Sequence, residues 1–148
     1  MLTVIIDARL EAERLPALLA QLTAGAVDGL VRQVAIVAVE GQADIANLCE
    51  ETGAERHPTI EAAAEAARAD WLIVTPAGLR LRDGWIGSLT GHLAAGGQAA
   101  IVAGLPAAGL FARRPFAVLV ERRRLAMGQG ADLKSLRRSL GFNPQRTG

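Results

Sequence analysis

The feature that most constrains the fold is a short apolar run, Leu2-Thr3-Val4-Ile5-Ile6, that stops at Asp7. A run of this length, rich in β-branched residues and without polar alternation, suits a strand covered on both faces, as in the centre of a parallel sheet. Comparable runs recur at Val34–Val39, Trp71–Thr75 and Ala99–Ala103. Each is reached through a stretch with apolar residues at helical spacing. With the short edge strand Glu55–His57 between the second and third runs, the order β-α-β-α-β-α-β through Thr75 predicts right-handed crossovers and a mostly parallel sheet, an α/β fold in one domain, with Ala99–Ala103 a further strand.

The helical stretches are marked by their ends. From Glu11 to Ala24, Leu15, Leu18, Leu19 and Leu22 fall on one face, Glu11 and Glu13 favour the helix dipole, and Gly25 is read as the stop. Ile45, Leu48 and Cys49 share a face of the next helix, which follows the Glu40-Gly41-Gln42 turn and ends at Gly53. Glu55–His57 reads as a short edge strand, and Pro58-Thr59 opens an Ala-rich helix over residues 60–69. After the loop Pro76–Gly84, a helix from Trp85 to Ala95 is stopped by Gly96-Gly97.

Beyond Ala103 the pattern is weaker. Leu110–Ala112 suits a short strand, and Pro115 suits the first turn of a helix that buries Phe116, Leu119 and Val120 while Arg122, Arg123 and Arg124 face out. A last helix is predicted over Asp132–Leu140, with Asp132 as N-cap and Gly141 past its end, and Phe142–Gly148 is expected to fray. This organisation divides the chain into an α/β domain over residues 1–112 and a basic helical segment over 113–148, packed on it or extending from it.

The charge follows the same division. Residues 1–100 carry 7 Arg and 13 Asp or Glu, whereas residues 101–148 carry 9 Lys or Arg against only Glu121 and Asp132. A cluster of one sign acts over about a Debye length, ~10 Å at moderate salt, and can attract an acidic protein or an anionic membrane surface. Arg113, Arg114, Arg122, Arg123 and Arg124 are the candidate docking patch; the alternative is a solvated helix face. With 3% aromatic residues and no nucleic-acid-binding motif, specific nucleic-acid recognition is not expected. The single cysteine, Cys49, gives no sign of an oxidising compartment, and no apolar stretch approaches the ~20 residues of a membrane span. The expected location is cytoplasmic, with peripheral association at the inner membrane face as its extension.

Three segments together resemble the family 2 glycosyltransferases of GT-A fold, small bacterial members in particular. Leu2 to Pro16 looks like the family's first strand and following turn. Val34 to Asp44 looks like its second strand and acidic loop. Asp70-Trp71-Leu72 through Asp83-Gly84-Trp85 looks like the strand and loop that normally hold the metal-binding acidic motif. The likeness covers roughly residues 1–95. It implies a nucleotide-diphospho-sugar transferase-like sandwich, truncated in its acceptor half, with a nucleotide sugar or other small molecule as ligand.

The departures from that pattern are functional. The family's nucleoside-recognising carboxylate falls on Ala38, with Glu40 two residues on; a second acidic position falls on Ala43, beside Asp44; and the metal-binding aspartate falls on Gly78. A loop of Pro76-Ala77-Gly78 has only carbonyls for a hard divalent cation. The resemblance therefore implies a binding or assembly component with no metal, no cofactor and no assigned catalytic residue. A metal-independent transferase using Arg80, Arg82 or the Arg113-Arg114 pair to hold a diphosphate is the enzyme alternative. Asp7, Arg9 and Glu11 lie where open α/β sheets bind ligands, at a strand's carboxyl end. They join Glu40, Arg80 and Arg82 as ligand-binding candidates. Loss of the acceptor half would expose apolar surface, which a homodimer would cover. His57 and His92 are too far apart for a metal pair, and no Gly-x-Gly-x-x-Gly or Walker pattern follows the first strand.

Overall fold

The computed structural model of the protein describes residues 1–106, 115–126, 132–139 and 145–147. The N-terminal run forms β1 (Leu2–Asp7), and a 3-10 turn at Ala12–Arg14 leads into α1 (Leu15–Val27). Next come β2 (Val31–Val37), α2 (Ala43–Thr52), β3 (Glu55–His57), α3 (Ile60–Glu65) and β4 (Trp71–Pro76). The chain continues through α4 (Trp85–Ala94), β5 (Ala100–Ala103), β6 (Phe116–Glu121), α5 (Arg122–Ala126), α6 (Leu133–Ser139) and β7 (Gln145–Thr147). The described strands form one sheet in the order β3-β2-β1-β4-β6-β5-β7. Every neighbouring pair is parallel except the two that involve β6, which runs antiparallel to β4 and to β5.

Alternate residues of the strands feed two apolar layers, as the period of two requires. Val4, Ile6, Ile36, Ile73, Val102 and Leu119 pack with Leu15, Leu18 and Leu22 of α1, Ile45 of α2, and Trp85 and Leu89 of α4. On the opposite face, Ile5, Val37, Leu72, Val74, Val118 and Val120 pack with Ile60, Ala63 and Ala64 of α3, Leu125 of α5 and Leu136 of α6. Expected strands and helices through Ala103 are found, and α6 starts as predicted, with the Ser135 amide donating to Asp132 Oδ1 at 2.7 Å.

Four readings are corrected. Phe116–Glu121 is a strand rather than a helix, because Val118 and Val120 face one layer while Ala117 and Leu119 face the other. A segment buried on both sides shows no periodicity to tell the two apart, and a Pro at its start suits either. Gly25 does not end α1: the helix runs on to Val27, and Gly29, at φ 84°, makes the turn instead. Gly25 lies buried where α1 meets Trp85. The Ala-rich helix closes at Glu65 rather than residue 69. Within the expected frayed tail, residues 145–147 pair with β5 as a parallel edge strand. The predicted strand Leu110–Ala112 and the stop at Gly141 lie outside the described residues.

Candidate functional site

The carboxyl ends of β1, β2 and β4 lie side by side, Asp7 opposite Val37 on one flank and Pro76 on the other. Asp7 is met by Arg9, two residues on, whose Nε and Nη2 donate to Oδ1 and Oδ2 at 2.9 Å each. The Arg9 amide adds a third bond to Oδ1 at 3.2 Å. Partial burial pushes the Asp7 carboxyl up, but the hydrogen bonds and charge of Arg9 outweigh it and hold the group below the usual carboxylate value. The Arg9 guanidinium is raised in turn, chiefly by that bond. Such a bidentate pair engages both carboxylate oxygens and leaves fewer lone pairs for a ligand or cation.

Glu11 is the one non-glycine residue at positive φ among those described, at 56°. Holding a glutamate there costs on the order of 1 kcal/mol. The conformation starts the 3-10 turn, whose Arg14 amide donates to the Glu11 carbonyl at 3.0 Å, and brings Arg14 Nη1 to 3.5 Å from Glu11 Oε1. The pair leans over Gly78. A Cβ built on Gly78 would lie 2.5 Å from Glu11 Oε2 and 3.1 Å from Arg14 Nη1. The space a side chain at 78 would take is thus filled by a carboxylate already matched to a guanidinium.

Arg80 donates from Nη1 to the Leu79 carbonyl at 2.8 Å and from Nη2 to the Arg14 carbonyl at 3.3 Å, so it braces the same loop. At the end of β2, Ala38 is buried and Glu40 stands exposed in the turn that follows. Gln42 joins the two strand ends: its Oε1 accepts from the Val39 amide at 2.9 Å and its Nε2 donates to the Ala8 carbonyl at 3.2 Å. Gln42 and Arg14 were not singled out in the sequence. Arg14 had a signal, its place three residues after Glu11; Gln42 had none.

The candidate residues are therefore divided. Asp7, Arg9, Glu11 and Arg80 cluster around the ends of β1 and β4, whereas Arg82 lies exposed further along the loop beside β5 and α6. Arg122, Arg123 and Arg124 follow β6 at the other end of the sheet, where the Arg122 amide donates to the Asp70 carbonyl at 2.8 Å. The Arg122 guanidinium is anchored on the Ala67 carbonyl at 2.8 Å, and Arg123 pairs with Glu121. Arg113 and Arg114 lie outside the described residues. His57 stands on β3 and His92 on α4, where its Nε2 contacts the Gln98 carbonyl at 2.8 Å.

No protein-family model and no curated protein matches the sequence. Solved structures do. Glucosyl-3-phosphoglycerate synthase from Mycobacterium tuberculosis, in complex with Mn²⁺, uridine diphosphate and glucosyl-3-phosphoglycerate, is similar over 69% of this chain and 42% of its own, at 17% identity and a TM-score of 0.53. The likeness is one of fold. Mannosyl-3-phosphoglycerate synthase from Rubrobacter xylanophilus covers 69% of this chain and 39% of its own, at 15% identity and a TM-score of 0.52. The 4-diphosphocytidyl-2C-methyl-D-erythritol synthase of Anaerococcus prevotii covers 99% of this chain and 86% of its own, at 10% identity and a TM-score of 0.57. The chain thus spans about two-fifths of the length of the two phosphoglycerate synthases. The fold shared with these structures is a GT-A-like α/β sandwich. No helix among the described residues is long and apolar enough to cross a membrane.

Proposed function

We propose that this chain is a family 2 glycosyltransferase-like protein that no longer performs metal-dependent sugar transfer and serves as a binding or assembly component. The observation that carries the reading is the Glu11–Arg14 pair seated over Gly78. In the resemblance, that position belongs to the metal-binding aspartate. Here a guanidinium stands beside the nearest carboxylate, and a second guanidinium grips Asp7. A divalent ion needs several oxygen ligands and contributes several kcal/mol to expulsion of a diphosphate; two carboxylates each paired with an arginine are a poor donor set for it.

The metal-independent alternative asks Arg80, Arg82 or the Arg113-Arg114 pair to clamp the diphosphate. Against Arg80 stand the two carbonyls that already hold that side chain. Calorimetric titration with uridine, guanosine and cytidine diphosphate sugars, with and without Mn²⁺, tests the reading. The expected outcome is no Mn²⁺-dependent heat and no release of sugar. Saturable binding that tightens with Mn²⁺, accompanied by hydrolysis of the donor, would refute it.

A further inference from the structure

The strongest unassigned feature is a cleft of roughly 750 Å³ on the α6 side of the sheet, at the β5–β7 edge. Its rim carries Arg82 from the loop after β4, Lys134, Arg137 and Arg138 from α6, and Arg146 from β7. All five are exposed, and none forms an ion pair with a carboxylate among the described residues. No Asp or Glu occurs in the sequence from residue 84 to 120 or after Asp132; Asp132 caps α6 and feels the charge of Arg138, and Asp83 adjoins Arg82 in the chain, so five cations face at most two nearby carboxylates from these segments. The floor is apolar, with Ile101, Pro115 and Phe116 beneath, and the Arg137 guanidinium lies 4.8 Å over the Phe116 ring.

Helix electrostatics do not account for this arrangement. Arg137 and Arg138 sit in the last turn of α6, where a cation favours the dipole, but Lys134 sits in the first, where it opposes it. Lys134 is also three and four residues before Arg137 and Arg138, so like charges share one helix face, an arrangement that costs about 0.2–0.5 kcal/mol per pair. Arg82 and Arg146 add two more cations from separate elements. A concave site of this size suits a small molecule better than a flat membrane surface or a protein face.

We infer that the α6–β7 cleft binds a small molecule carrying a phosphate or diphosphate group, its anion held by Arg82, Lys134, Arg138 and Arg146 and its apolar portion resting on Ile101 and Phe116. The side chains that line this cleft are not those of the Asp7–Gly78 site, although Gly104 on its wall adjoins Leu79 and Arg80, and what binds here does not depend on how that site is read. A compact dianion would relieve the repulsion on α6 and accept forked guanidinium bonds.

The test is calorimetric titration of the full chain with inorganic pyrophosphate at low salt. Saturable binding is expected, weakening about tenfold or more in Arg138→Ala/Arg146→Ala and several-fold in Lys134→Ala, and weakening again as salt rises. Arg123→Ala/Arg124→Ala, at the other end of the sheet, should bind as the parent does. Near-ultraviolet circular dichroism checks that each variant is folded, and Lys134→Ala decides the matter if the double variant is not. Absence of saturable binding, or equal losses in both double variants, would overturn the inference. So would a chain that ignores pyrophosphate yet co-sediments with phosphatidylserine vesicles through these same residues, since that would make the cleft a membrane contact.

Discussion

Replacing Gly25 by alanine should destabilise the protein, although alanine is the better helix former by about 1 kcal/mol in a helix interior. A Cβ at this position would lie 2.4 Å from Trp85 Cη2 and 2.8 Å from Val31 Cγ2. Carbon atoms pack at ~3.5–4.0 Å, so the indole must withdraw by about 1 Å or α1 must lift from the sheet. Neither move is free: Trp85 is 7% exposed and Val31 5% exposed, both within the packed layer beneath α1 and α4. Overpacking of a well-filled core costs ~1–3 kcal/mol, and a contact this short belongs at the upper end. Offset by the helix gain, the net loss is about 2 kcal/mol, or ~6 °C in melting temperature for a domain of this size. Urea unfolding followed by tryptophan fluorescence gives the energy, and the same substitution in a Trp85→Leu background should cost clearly less, since the two residues couple through this contact. An unchanged or raised melting temperature for Gly25→Ala would refute the packing argument.

Gly78→Ala should be nearly neutral, within about 0.5 kcal/mol, because the atom in its way is the far end of the half-exposed Glu11 side chain. Gly104→Ala should cost ~1–3 kcal/mol, since its Cβ would meet Leu79 Cδ1 at 2.5 Å and the Arg80 and Pro115 carbonyls at 3.1 and 3.2 Å; paired thermal melts compare the two. The Asp7 carboxyl is depressed in the folded state, so its stabilisation is present above the unfolded value of ~3.9 and is lost as pH falls through the lower folded value. Arg9→Ala should therefore destabilise by about 0.5–1 kcal/mol at pH 7 and by progressively less as pH falls below ~3.9, as a series of melts from pH 7 downward would reveal; a loss that stays constant until the protein unfolds in acid would contradict the pairing. Burial pushes the Cys49 thiol up, only partly offset by Arg56, so its alkylation at pH 8 should be slower in the folded protein than in urea.

Most of the sheet was legible because its strands are short apolar runs separated by well-marked helices. Leu2–Asp7 and Trp71–Pro76 announce themselves, and they pair along their whole length. Phe116–Glu121 did not, because a strand inserted antiparallel between β4 and β5 is covered on both faces and lacks any alternation of polarity. The end of α1 was misplaced because Gly25 is there for its closeness to Trp85, a contact sixty residues away that no local pattern encodes. At the candidate site, the positions of Asp7, Arg9 and Glu11 at a strand's end could be read directly. Their pairing could not be: the Arg9 fork on Asp7 and the reach of Glu11 across to Gly78 depend on one left-handed residue and on the approach of two loops. The basic cleft was visible only as a charge imbalance, since Arg82, α6 and β7 meet through the sheet and not along the chain.

The proposal that Gly78 leaves the site without a metal-binding carboxylate, with Asp7 and Glu11 already paired to arginines, is tested most directly by Mn²⁺ itself. Electron paramagnetic resonance of Mn²⁺ titrated into UDP-glucose should give the same loss of the aqueous six-line signal with the protein as without it. A further, stoichiometric loss on adding protein that disappears in Asp7→Asn would contradict the account.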